Sequence, residues 1–313
     1  MLSRTAENLF WLARYVERAE NTARIIDAAN RLAAIPISYA GGSNEWESAV
    51  AATGSLPLFQ SLHDEANPET VVDFLAFSGD NPSSIRICLE RARANARAVR
   101  TALTGEMWDA INGAWLGLKR FDGVRRDRMK LNEFLSFVKE ASLRFDGSAY
   151  RTMLRNDAFC FSSLGTFIER ADNTARILDV KYHVLLPAET NVGGGLDYFQ
   201  WSSILRSVSA NTAYHWVYRE SLKPWLVADL LVLNEQLPRS LASCYGNIAG
   251  SLDELSQAYG RQGQAQRIAR SMRNRLQNAT MEGIFQSGLH EFLTEFIAEN
   301  SRLGQAITDQ YLL

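Results

Sequence analysis

One helix is written twice in this chain, and that repetition limits the folds open to it. Glu17-Arg18-Ala19-Glu20-Asn21-Thr22-Ala23-Arg24 reappears 152 positions later as Glu169-Arg170-Ala171-Asp172-Asn173-Thr174-Ala175-Arg176. Trp46 recurs as Trp201 at a shift of 155, and Pro68, Val71, Asp73, Leu75, Pro82, Ser84 and Cys88 recur as Pro224, Val227, Asp229, Leu231, Pro238, Ser240 and Cys244 at a shift of 156. Leu131-Asn132-Glu133-Phe134-Leu135 returns as Leu289-His290-Glu291-Phe292-Leu293 at a shift of 158. Matches in the same order at a nearly fixed offset mark a repeated structural unit. A period this long is several times that of a solenoid of helix pairs, whose repeats run to about 34–47 residues. The expectation is an all-α, internally duplicated helical bundle, with halves at residues 1–150 and 151–313. Each half would bury its equivalent face against the other around a pseudo-two-fold axis, giving one compact body.

Apolar residues recur at spacings of three and four nearly everywhere, with few alternating runs of the kind strands make. The seven prolines, Pro36, Pro57, Pro68, Pro82, Pro187, Pro224 and Pro238, leave long stretches free for helices. With 33 basic and 35 acidic residues there is no global polycation, so nucleic acid is not an expected partner. No apolar run reaches bilayer length, and Arg4, Glu7 and Arg14 break up any secretory core segment, so a cytoplasmic protein without membrane association is expected. Cys88, Cys160 and Cys244 form no CxxC pair and read as buried thiols rather than disulfide or zinc-site residues. No metal site and no cofactor is implied.

Projected at 100° per residue, the first copy divides into two faces. Leu12, Tyr15, Val16, Ala19, Thr22, Ala23 and Ile26 make an apolar stripe, with Arg14, Glu17, Glu20, Asn21, Arg24 and Asp27 opposite. The second copy repeats the division, with Glu169, Asp172, Asn173, Arg176 and Asp179 on its polar side. A solvated face stabilised by pairs such as Glu20 with Arg24 would gain about 0.2–0.5 kcal/mol per pair. That reading accounts for the charges but not for their retention in both copies, since exposed positions tolerate many substitutions within about ±0.5 kcal/mol. Two readings remain for Arg14, Glu17, Arg18, Glu20, Asn21, Arg24, Glu169, Arg170, Asp172, Asn173 and Arg176. They form a buried ion and amide network between the halves, or they line a cleft for a charged, peptide-like or phosphate-bearing ligand.

Other candidates are weaker. A desolvated carboxylate beside an arginine could serve as a general base, yet no nucleophile arrangement accompanies it, and no catalytic residue is assigned. The Glu-x-x-His pairs of a dimetal bundle are absent, and Asp179 with His183 reads as a surface pair. Arg86, Arg93, Arg97 and Arg100 project onto one stripe of a helix starting near Pro82, either as snorkelling side chains or as a docking face for an acidic partner or phosphate. The 156 shift maps them to Ala242, Ala249, Asp253 and Ser256, so that face belongs to one half only. Trp46, Trp108, Trp115, Trp201, Trp216 and Trp225 read as core or interface side chains. His63, His215 and His290 have no evident partner in sequence. The loop from Glu189 to Gly195, with Gly193-Gly194-Gly195, lacks phosphate-cradle spacing and reads as a flexible connection.

Taken whole, the segment from Leu2 to Glu20 (LSRTAENLFWLARYVERAE) resembles the start of the bacterial alpha-E domain family. Ala92-Arg93-Ala94-Asn95-Ala96-Arg97-Ala98-Val99-Arg100, Leu237-Pro238-Arg239-Ser240 and Gly288-Leu289-His290-Glu291-Phe292 carry the likeness through the rest of the chain. The resemblance implies an all-helical bacterial protein, encoded near circularly permuted ATP-grasp ligases and transglutaminase-like proteins and proposed to belong to peptide or amide-ligation systems. It brings no catalytic residue list. The expected function is an accessory or partner protein of such a ligase, binding a peptide or amino-acid-like ligand at the duplicated Glu/Arg/Asn face. The alternatives are an enzyme using the same face on peptide or amide substrates, and a non-catalytic protein whose charges are a buried network.

Overall fold

A computed structural model describes residues 1–33, 44–121, 128–184 and 195–312, without the side chains of 128, 180–184 and 195–199. The described residues are helical, with no strand among them. The helices are α1 (Ser3–Leu32), α2 (Glu45–Ala52), α3 (Leu56–Leu62), α4 (Pro68–Val72), α5 (Ile85–Ala98), α6 (Gly105–Gly117), α7 (Arg128–Thr152) and α8 (Asp157–Val184). They continue as α9 (Gly195–Ser207), α10 (Asn211–Tyr218), α11 (Pro224–Val232), α12 (Leu241–Tyr259), α13 (Gln264–Asn278), α14 (Met281–Ser287) and α15 (Leu289–Ile307), which runs into a π turn at Thr308–Leu312.

Local chemistry sets many of the ends. Asn44, Asn67, Ser84, Thr104, Ser240 and Thr280 cap helix N-termini with side-chain oxygens, satisfying backbone N–H groups that a first turn leaves without partners. Pro57, Pro68 and Pro224 stand in first turns, where no N–H is missed. Gly260 ends α12 in the left-handed region at φ 65°.

A single apolar cluster draws on residues from Ala6 to Leu312. At its centre α1 and α8 make the most extensive helix pairing. Phe10 and Ala13 meet Gly165, Arg14 and Arg18 meet Glu169, and Glu17 meets Arg170, so contacts advance along both helices together and the two run in the same direction. A Cβ on Gly165 would stand 2.2 Å from the Phe10 carbonyl oxygen, so only glycine permits this approach. Helices α5, α7, α9 and α2 also enclose α1, and α12 and α15 pack on α8. The polar face of α1 is therefore not a solvated surface: Glu17, Glu20 and Asn21 are as buried as its apolar stripe.

Several side chains lie elsewhere than expected. Trp46 and Trp201 are buried and Trp108 and Trp115 pack partly against the core, but Trp216 is 78% exposed and Trp225 52% exposed. Both stand on short helices at the edge of the fold, α10 and α11, whose inward faces Tyr214, Val227 and Leu231 supply. The three cysteines are free and buried. The loop expected at Glu189–Gly195 lies outside the described residues, apart from Gly195, which opens α9. Among the described residues, no helix is long and apolar enough to cross a membrane.

Candidate functional site

The two copies of the charged helix exchange partners. Arg170 donates from Nε and Nη2 to Glu17 at 3.1 and 2.7 Å, and Arg18 donates from the same atoms to Glu169 at 2.6 and 2.9 Å. Both are two-pronged guanidinium–carboxylate pairs, the strongest geometry such ions have. Residue i meeting j while the equivalent of j meets the equivalent of i is the signature of an isologous contact.

Around this exchange the eleven candidate residues divide between two environments. On the closed side, Arg239, just before α12, donates to Glu17 at 2.7 Å and to Glu20 at 2.8 Å, clamping the two carboxylates together. Glu20 also accepts from Arg24 at 2.7 Å and from the Ser142 hydroxyl at 2.6 Å, and Arg170 reaches Asp146 at 3.2 Å. The Arg24 guanidinium is held further by the Ser209 hydroxyl at 2.6 Å. Burial alone would raise the Glu17 carboxyl, but Arg170 and Arg239 outweigh it and hold it at about 2 against an ordinary 4.5. Asp146, its side chain 35% exposed, goes the other way, pushed upward by its partial burial and the Glu17 charge. These groups satisfy one another, and a buried network of this kind is costly to break.

The other side is open. Arg14, Arg18, Asn21, Glu169, Asp172, Asn173 and Arg176 line a cleft of about 390 Å³, with Ser83 before α5, Gly54 after α2, and Asn300 and Gly304 of α15. Arg14 adds a third bond to Glu169 at 2.9 Å while its guanidinium lies over Trp11, 4.6 Å from the ring centre. Burial would raise Glu169, yet Arg18 and Arg14 hold it at about 2. Asp172 is raised, because burial exceeds what its one bond partner, Arg176 at 2.7 Å, restores. The Asn173 Nδ2 is buried with no hydrogen-bond partner among the described residues, which costs free energy unless something else accepts from it. Arg14, Arg18 and Arg176 with Glu169 and Asp172 make the cleft a polar receptacle with three cations and two anions, whose chemistry suits a ligand bearing an anion together with an N–H donor.

Three residues of the expected basic stripe, Arg86, Arg93 and Arg97, lie on α5. Helix α5 ends at Ala98, so Arg100 leaves the line and sits over Trp108, 5.3 Å from its ring. Arg93 turns to the Asn112 amide oxygen at 2.9 Å, while Arg86 and Arg97 remain exposed. Asp179 pairs with the His290 Nδ1 at 2.6 Å, across two helices, and the His183 side chain lies outside the described residues. Sequence reasoning passed over Arg239, Asp146, Ser142 and Ser83. Arg239 left a trace, being the charged residue in a Pro-x-Ser block whose match has serine at that point.

Fold and site together define an all-helical protein assembled around a buried, reciprocal Glu–Arg seam. The chain belongs to the alpha-E family, whose model, described as a predicted alpha-helical domain with a conserved ER motif, matches residues 1–312. Glu-Arg occurs at Glu17-Arg18, Glu90-Arg91 and Glu169-Arg170, and the first and third of these make the seam. No curated protein and no solved structure matches the chain.

Proposed function

We propose that the chain is a bacterial, cytoplasmic accessory protein of a peptide- or amide-ligation system, binding a peptide or amino-acid-like ligand in the open cleft for a circularly permuted ATP-grasp ligase. A transglutaminase-like protein is a second candidate partner. The observation that carries the reading is the cleft itself, whose polar groups, unlike those on the closed side, are left incompletely paired. A ligand with a carboxylate and N–H groups matches the arginine donors and the Asp172 carboxylate in kind. The buried-network reading fits Glu17, Glu20, Arg24 and Arg170, and so accounts for the closed side only.

The test is copurification of the chain with the ligase encoded beside it, followed by calorimetry of each protein and of the mixture with amino acids and short peptides. The expected outcome is a stoichiometric complex and a ligand whose affinity for the chain falls in Arg18→Ala and Arg176→Ala variants. Absence of both complex and ligand rejects the reading.

A further inference from the structure

The cleft is open because short residues stand where the closed side carries long ones. Ser84 and Ser240 accept from the backbone N–H three residues ahead and donate to the carbonyl six residues behind, so the residues before them, Ser83 and Arg239, occupy like positions. Along α7 and α15, buried Phe134, Leu135, Val138, Phe145 and Ala149 match buried Phe292, Leu293, Phe296, Leu303 and Ile307 at one constant shift of 158. The same register sets Gly304 opposite Asp146. Where the closed side has the Arg239 guanidinium and the Asp146 carboxylate, the cleft has a hydroxyl and a hydrogen atom.

Charge then decides what is missing. The closed side holds Arg24, Arg170 and Arg239 against Glu17, Glu20 and Asp146, three of each sign. Arg14 makes up for Arg239 on the open side by bonding Glu169, so the cleft keeps three guanidiniums but only two carboxylates. We infer that the cleft seats the free carboxylate of a peptide or amino acid at Gly304, in the position that Asp146 fills on the other side. This deepens the proposed function and rests on it.

The surroundings suit that occupant. A Cβ on Gly304 would meet only the Arg14 Nη1, at 3.9 Å, so a carboxylate there has room and a donor at hand. Glu20 accepts from three side chains, Asp172 from Arg176 alone, which leaves an acceptor for a ligand N–H. A phosphate dianion would exceed the single missing negative charge and crowd Glu169 and Asp172 with like charge.

The test is calorimetry of the full chain with dipeptides of acidic, basic, small and aromatic side chains, each as the free acid and as the C-terminal amide, and with inorganic phosphate. At least one acid binds, and its amide binds about tenfold or more weakly. Gly304→Asp, which carries its own carboxylate, loses the acid by about tenfold or more, whereas Gly304→Ala keeps it within about threefold, circular dichroism showing both folded. Equal binding of acid and amide, phosphate binding in place of the dipeptides, or undiminished binding by Gly304→Asp overturns the carboxylate seat while leaving a ligand-binding cleft. Absence of binding by every acid and amide and by phosphate overturns the ligand-binding part of the proposed function with it.

Discussion

At the scale of single residues, the eleven charged and amide side chains read from the sequence lie in two different environments. Glu17 is 1% exposed and holds two arginines in place, so Glu17→Gln removes the carboxylate they share and leaves Arg170 only Asp146 and Arg239 only Glu20. Breaking a buried pair from one end costs about 3–5 kcal/mol, and chemical denaturation should show a loss of that order. A loss below about 1 kcal/mol would mean that Glu20 and Asp146 make good the missing charge. Which residues gather at the α1–α8 contact was legible in the sequence, because the same letters return at a fixed shift. How they divide was not, because the division depends on Arg239, Asp146, Ser83 and Gly304, which come from other elements and share no helix wheel with Glu17. Trp216 and Trp225 show the same limit: residue type favours burial, but only the surrounding helices determine what covers a side chain.

At the scale of elements, Gly165 sets how closely α1 and α8 approach. In an exposed helix Gly→Ala gains about 0.5–1 kcal/mol from backbone entropy. Here the new methyl would enter the Phe10 carbonyl, and Phe10 belongs to a fully buried backbone that cannot yield without parting the helices. Gly165→Ala is therefore expected to destabilise by about 1–3 kcal/mol, the usual cost of overpacking, and to disturb the Arg18–Glu169 geometry a turn away. A thermal melt reads the sign directly, and a rise in Tm would refute the close approach. Helix existence was readable from periodicity and from the placing of the prolines. The parallel course of α1 and α8 was not, since a repeated helix can pair with its copy in either direction.

At the scale of the whole molecule, the buried charges make stability depend on pH in a defined sense. Glu17 and Glu169 are held at about 2 against an ordinary 4.5. A carboxyl depressed by folding adds stability above its unfolded value and loses it as the pH falls through its folded one. The denaturation midpoint should drop steadily from pH 4.5 toward 2, and Glu17→Gln should flatten that slope. Asp146, raised from 3.8 to about 6, acts oppositely and costs some stability as the pH climbs across that interval. A midpoint unchanged between pH 4.5 and 2 would contradict the assignment. The seam also imposes an order in time. Arg170 follows Glu17 by 153 residues and Arg239 follows it by 222. At about 5–20 residues per second a ribosome needs about 10–45 s to supply the last partner, so nascent α1 must keep its carboxylates in water until Arg239 has been made. The groups that later lock the interior are, during synthesis, what keeps its first helix soluble.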